Sequence, residues 1–287
     1  MTATARRNVE EAPLIDGEFP FTREDFQKIA ALLYRASGIH LADAKATLVY
    51  SRIAKRVRNL GLPSFRAYCD MLEDDLEGPE HGAMLSALTT NVTRFFREHH
   101  HFEHMAEHLL PSLVAHARAG ARVRLWSAGC SAGHEPYSMA MTLLEALPDA
   151  ARLDVRILAT DIDPLIVDTA RKGEYSDSDV EPISAALRAK HLIRAGAGRW
   201  SVSRGVSELI TFGTLNLLTD WPMKGRFDAI FCRNVAIYFD GPTQARLFSR
   251  FTERLAPEGR LYIGHSERAF TPELVSDGLT VYRRKPA

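Results

Sequence analysis

The chain has 287 residues, 46% hydrophobic and 25% charged, and its 36 basic and 36 acidic side chains give a formal net charge of zero. That content suits one or two buried cores, and the balanced charge removes any bulk bias toward nucleic acid or a membrane surface. No apolar run approaches the roughly 20 residues of a membrane span, and no secretory signal is present. Three scattered cysteines, Cys69, Cys130 and Cys232, argue against a disulfide framework or zinc site and for a reducing cytoplasm.

Residues 1–20 are polar with scattered Pro and Gly and read as a flexible arm. From Thr22, an N-cap with Asp25 at the third helical position, Phe26, Ile29, Ala30 and Leu33 fall at core spacing up to Gly38. A second helix, about Ala42 to Leu60, sets Val49, Ile53, Val57 and Leu60 on one stripe. The same helix carries Lys45, Arg52, Lys55, Arg56 and Arg58, with Lys45, Arg52 and Arg56 along one edge. Such a run is either a solvated face or a docking surface for an acidic partner, where each contact is worth only about 0.2–1 kcal/mol. Two further helices follow between Ser64 and Thr90, the first ending in an acidic segment broken by Gly78-Pro79.

Five histidines, His99, His100, His101, His104 and His108, come next. His100, His104 and His108 share a helix face at i, i+4 spacing, but no motif of known metal type accompanies them, and the expectation is that no metal is bound. Val123 to Leu147 then reads as a nucleotide-binding strand–turn–helix unit. Gly129 and Gly133 let the chain bend and a ligand approach main-chain N–H groups, and Pro136 suits a first helical turn. A triphosphate loop would need a Gly-Lys-Ser/Thr step, and the dinucleotide fingerprint would need three closely spaced glycines; neither is present.

What stands there, Trp126-Ser-Ala-Gly-Cys-Ser-Ala-Gly-His-Glu-Pro-Tyr-Ser-Met-Ala-Met141, resembles the first motif of the chemotaxis receptor methyltransferases, the CheR family, which use S-adenosylmethionine. Leu85-Ser-Ala-Leu-Thr-Thr-Asn-Val-Thr-Arg-Phe-Phe-Arg-Glu-His99, Ala159-Thr-Asp-Ile-Asp-Pro164 and Phe231-Cys-Arg-Asn-Val-Ala-Ile-Tyr-Phe-Asp240 are similar to three more family stretches, so the resemblance spans about Phe21 to Arg284. It implies a class I, Rossmann-like α/β sheet with a small inserted β-subdomain, behind an all-helical N-terminal domain. The expected boundaries are 21–90 for the helical domain, 91–120 for a linker and connecting helix, and 121–287 for the catalytic domain with its insertion at about 177–206. Carried over by position, Asn91, Thr93, Arg97, Glu135, Asp161, Asn216, Leu217, Arg233 and Asn234 would bind the cofactor. Arg97 and Tyr238 would orient the reacting groups. The second helix, through Lys45, Arg52, Lys55 and Arg56, would face glutamate-bearing helices of the receptor.

Physical grounds support part of this assignment independently. Asp161 ends the second strand, where ribose hydroxyls of an adenosine ligand lie, while Asp163 is placed to cap the helix Leu165–Arg171. Arg233, Asn234 and Tyr238 follow a buried strand, at the end where open α/β sheets bind ligands. Arg97 by itself reads as a surface residue, and only the resemblance implies that its planar fork meets a carboxylate. The segment about 177–206 breaks the βα rhythm; its loop is shorter than in family members that grip a receptor tether and lacks their Gly-Pro step, so a plain hairpin is equally compatible. His265-Ser-Glu267 is similar to the family's closing motif and is assigned a local structural role. The implied reaction is methyl transfer from S-adenosylmethionine to receptor glutamates, with S-adenosylhomocysteine as product, by a cytoplasmic monomer. The residues alone leave open a cofactor-binding regulatory module without turnover, or another acceptor.

Overall fold

In the computed structural model, which describes residues 13–75 and 78–285, the chain divides between Thr89 and Thr90 into two compact units. The first is helical: α1 (Arg23–Ser37), α2 (Ala46–Asn59), α3 (Phe65–Asp74) and α4 (Pro79–Leu88). Thr22 and Asp25 exchange side-chain-to-backbone hydrogen bonds as a capping box at the start of α1, and Gly38 ends it in the left-handed conformation. Phe26, Ile29, Leu33, Val49, Ile53, Val57, Phe65, Tyr68 and Leu72 close one core. Pro79 opens α4 at its first turn, where a missing N–H costs nothing.

Two expectations change here. The part of the expected arm on residues 1–12 lies outside the described residues, but residues 13–20 are folded. Ile15 pairs with Phe21 in an antiparallel bridge, Ile15 and Phe19 pack on the helical core, and Glu18 accepts from Arg58 Nε at 2.9 Å. The basic run on α2 is also divided. Arg52 donates to the carbonyls of Ala87 and Thr89 at 3.0 and 2.8 Å, and Arg56 donates to Glu80 at 2.8 Å, whereas Lys45 and Lys55 stay exposed.

The second unit begins with residues once expected to link domains. Phe95, Phe102, Met105, Leu109, Leu110 and Leu113 all enter its core. The helical stretch after His99 is α5 (His100–His104), one π-type turn over Met105–Leu109, and α6 (Leu110–Arg118). Pro111 explains the wide turn, since it cannot donate to the carbonyl four residues earlier and its ring crowds that position.

The strands and helices that follow are β1 (Val123–Ala128), α7 (His134–Ala146), β2 (Val155–Asp161), α8 (Pro164–Lys172), β3 (Glu174–Ser176), α9 (Asp177–Val180), α10 (Ala185–His191), β4 (Leu192–Arg194), β5 (Arg199–Val202) and α11 (Arg204–Ser207). They continue with β6 (Ile210–Thr214), β7 (Phe227–Cys232), α12 (Gly241–Arg254), β8 (Leu255–Ile263), β9 (Leu274–Gly278) and β10 (Val281–Arg284). A seven-stranded sheet runs β6-β2-β1-β7-β8-β10-β9, parallel from β6 to β8 and antiparallel at β10 and β9. A separate antiparallel sheet, β3-β5-β4, is the insertion; its first strand precedes the expected start at residue 177.

The chain leaves β1 toward β2 and β6, then returns to the other side of β1 as β7. Such a reversal opens a crevice beyond the carboxyl ends of the strands. On one face Leu125, Ile157, Ala229 and Phe231 are buried with Met139 and Met141 of α7. On the other, Trp126 is fully buried against Trp221, Phe227 and Phe251 and donates its indole N–H to Thr160 Oγ1 at 2.9 Å.

Ala256–Gly259 lies within β8, as a bulge between the pairs Phe227 with Leu255 and Ala229 with Arg260. The last strand is a hairpin of β9 and β10, reversed through Thr280 at φ 54°. Among the described residues no helix is long and apolar enough to cross a membrane.

Candidate functional site

The glycine turn after β1 is built by its own geometry. Gly129 and Gly133 take φ of 95° and 89°, and Ser131 between them takes 48°. A Cβ on Gly129 would stand 2.3 Å from Val235 Cγ2, so this turn and the segment after β7 are packed against each other. Tyr175 covers the turn from the insertion, its hydroxyl donating to Ala132 O at 2.7 Å.

Asp161, at the end of β2, accepts from Ser131 N at 2.8 Å and from Asp163 N at 3.1 Å. Burial pushes its carboxyl up, against those two backbone hydrogen bonds. Asp163 caps α8, accepting from Leu165 N and Ile166 N at 3.0 and 3.4 Å, and also accepts from Asn91 Nδ2 at 3.0 Å. Ser131 Oγ donates to Asn91 O at 3.1 Å, so residue 91 is tied once to the turn and once to the cap of α8. Asp163→Ala is expected to cost about 1–2 kcal/mol through the lost cap, read as a lower urea midpoint at unchanged slope.

Arg233 is the centre of the buried charge. Its side chain is 3% exposed and donates to Glu135 Oε2 at 3.1 Å and to the carbonyl of Arg97, with Glu98 Oε2 3.3 Å from Nη2. Glu135 also accepts from Ser127 Oγ at 2.7 Å. Burial pushes Glu135 up while Arg233 pulls it down, and burial prevails. For Glu98 burial loses: the hydrogen bond from His265 and the charge of Arg233 hold it down to about 2. Arg233 therefore bolts the Phe95–Glu98 loop to the first turn of α7. That loop holds Phe96 and Glu98 at φ of 52° and 55°, a strained course kept by its surroundings. Among the described residues Arg233 Nε has no hydrogen-bond partner, a buried donor that an acceptor oxygen would satisfy.

These contacts form two groups, Asn91 with Asp161 by way of Ser131 and Asp163, and Glu135, Asn234 and the carbonyl of Arg97 around Arg233 and Glu98. Arg97 Nη1 donates to Val92 O at 3.1 Å, and its side chain is half-buried. Asn234, at φ 59°, lies with its Nδ2 3.5 Å from Glu98 Oε1. Asn216 accepts from Leu218 N at 2.9 Å just beyond β6, and Leu217 is buried beside it. Thr93 and Tyr238 are half-buried, Tyr238 in the short 3₁₀ turn Ala236–Tyr238. Lys45, Arg52, Lys55 and Arg56 belong to the helical unit and take no part in either group.

One residue matters more than sequence reasoning allowed. Glu267, 4% exposed, accepts from the backbone N–H groups of Gly264, Asn234, Val235 and Ile237, the last three at 3.0, 2.9 and 3.2 Å. It holds the segment after β7 in place. The acid stands 33 residues beyond Asn234, so no local pattern announces the contact.

The donor set suits an adenosyl amino acid: a left-handed small-residue turn, an acid at the end of the next strand, and an unpaired buried guanidinium N–H at the switch point. Comparison with known proteins agrees. The family described as "CheR methyltransferase, SAM binding domain" matches residues 91–277, and "CheR methyltransferase, all-alpha domain" matches residues 24–89. The chain is 50% identical over 258 residues to the "Probable chemotaxis protein methyltransferase" of Rhizobium etli, covering 88% of this chain and 96% of that protein. It is 46% identical over 271 residues to "Chemotaxis protein methyltransferase 2" of Pseudomonas aeruginosa, covering 92% and 94% respectively. It is also 40% identical over 246 residues to the "Chemotaxis protein methyltransferase" of Escherichia coli, covering 84% and 83%. With both family domains matched in order and relatives aligned along most of their length, this chain belongs to the CheR methyltransferase family and carries its S-adenosylmethionine-binding domain.

Proposed function

We propose that this chain methylates glutamate side chains of chemotaxis receptors, acting as a cytoplasmic monomer and leaving glutamate methyl esters and S-adenosylhomocysteine. The observation that carries the reading is the network in which Arg233 fastens the Arg97 loop to the strand ends around the crevice. When bound, S-adenosylmethionine supplies a methyl group on a positively charged sulfur. Asp161 would take the ribose hydroxyls, and Asn91, Thr93, Glu135, Asn216, Leu217, Arg233 and Asn234 would frame the rest of the ligand.

An acceptor glutamate, with an ordinary pKa of about 4.3, is ionised near neutral pH and needs no general base. The protein has only to align carboxylate oxygen, methyl and sulfur, for which positioning supplies roughly 7–11 kcal/mol. Arg97 and the Tyr238 hydroxyl are the orienting donors. Neutralising an acidic side chain changes the charge of the receptor, which is a signal in itself. Docking falls to α2 and the turn before it, with exposed Lys45 and Lys55 steering acidic receptor helices while Arg52 and Arg56, bonded within the unit, keep that face in shape. The names of the relatives support the chemotaxis setting.

Incubating the protein with methyl-labelled S-adenosylmethionine and receptor-containing membranes tests the reading. Base-labile label on the receptor is the expected result. Cofactor binding with no such label would leave a regulatory module or another acceptor as the better account.

A further inference from the structure

Glu98, already in the Arg233 network, also meets two histidines that the proposed methyl transfer does not use. One ligand-type atom from each of Glu98, His100 and His101 falls within 4.8 Å of the others. In these same residues the buried Glu98 Oε2, His100 Nε2 and His101 Nδ1 make no hydrogen bond. His101 is fully buried, and its ring centroid is 4.1 Å from that of His100. Glu98 Oε2 is held only by charge, 3.3 Å from Arg233 Nη2 and 3.6 Å from His101 Nδ1, while the ring nitrogens His100 Nε2 and His101 Nδ1 are left without a hydrogen bond among the described residues, a set that a shared ion would satisfy. We propose that Glu98, His100 and His101 bind one borderline divalent transition ion of the Zn²⁺ type.

The surroundings prepare each group for that role. His101 Nε2 faces Leu279 O at 3.3 Å and Thr280 Oγ1 at 2.9 Å. A carbonyl only accepts, so the proton sits on Nε2 and the lone pair of Nδ1 is left open, which is the outer-shell arrangement of metal-binding histidines. Glu98 is anchored by its other oxygen, Oε1, which accepts from His265 Nδ1 at 2.9 Å. Two imidazole nitrogens and one carboxylate favour zinc, cobalt or nickel over calcium or magnesium, which take oxygen ligands.

Bonds of about 2.0–2.1 Å place tetrahedral ligands about 3.4 Å apart, so the half-buried His100 ring must swing inward to close the site. Arg233 stands 3.3 Å from Glu98 Oε2 and opposes the ion, which limits its affinity. The face expected from spacing is not the one assembled. His104 instead contacts the Tyr262 hydroxyl at 3.2 Å and Asp277 O at 3.3 Å, and its ring centroid is 4.7 Å from that of His108.

The test is independent of the proposed activity. Titrating the purified full chain with Co²⁺ should give visible d–d bands that saturate at one ion per chain and are displaced by Zn²⁺. His100→Ala should weaken binding about 100-fold or more, and Glu98→Gln, of the same shape, serves as the second variant if the first loses its circular dichroism spectrum. His108→Ala should change nothing. Absence of bands, as for a buried water in place of a metal, would overturn the proposal. So would bands that survive both Glu98→Gln and a folded His100→Ala, or that vanish with His108→Ala.

Discussion

Arg97→Ala is expected to lower methyl transfer about 10²–10³-fold while the melting temperature stays within a degree or two of the parent protein. The side chain is half-buried and makes one hydrogen bond, to Val92 O, so little of the fold depends on it. Its backbone carbonyl, which alanine retains, is the group held by Arg233. The loss should therefore fall on the alignment of the acceptor carboxylate. Arg97→Lys should recover only part of the rate, because an ammonium supplies charge without the planar fork. Single-turnover transfer with labelled cofactor measures both, and full activity of Arg97→Ala would remove its assigned role.

Glu267→Ala should act through the fold of the site. Four backbone N–H groups converge on one carboxylate, and three of them belong to the segment that carries Asn234 to Tyr238. Hydrogen bonds to a charged group are worth roughly 1.5–3 kcal/mol each, and buried donors left alone are penalised again. Partial rearrangement offsets some of this, so a net loss of about 3–5 kcal/mol in urea unfolding is expected, with cofactor affinity falling in the same variant. Stability unchanged within about 0.5 kcal/mol would mean that water replaces the carboxylate.

Much of this protein could be read from its sequence where the cause is local. Thr22 with Asp25, Asp163 before Leu165 and Pro79 after Gly78 each act within a few residues, and each does in the structure what its chemistry requires. The parallel sheet and the family followed from long motifs, and both stand. What stayed hidden depends on distance. That residues 13–20 fold back on the helical core is decided by Phe65 and Arg58, far along the chain. The internal engagement of Arg52 and Arg56 is decided by α4, so a charge stripe on a helical wheel cannot say which cations remain for a partner. Glu135 and Arg233 looked like ligand-facing residues, yet each is first the other's counter-ion.

The hydroxyl of Tyr175 reaching the carbonyl of Ala132 ties the small three-stranded sheet to the glycine turn after β1. The same oxygen would lie 2.9 Å from a Cβ placed on Gly133, so the contact is close as well as polar. The insertion thus braces that turn. An engineered version pared down to the seven-stranded layer would keep every residue of the first motif and lose the strut that gives it shape.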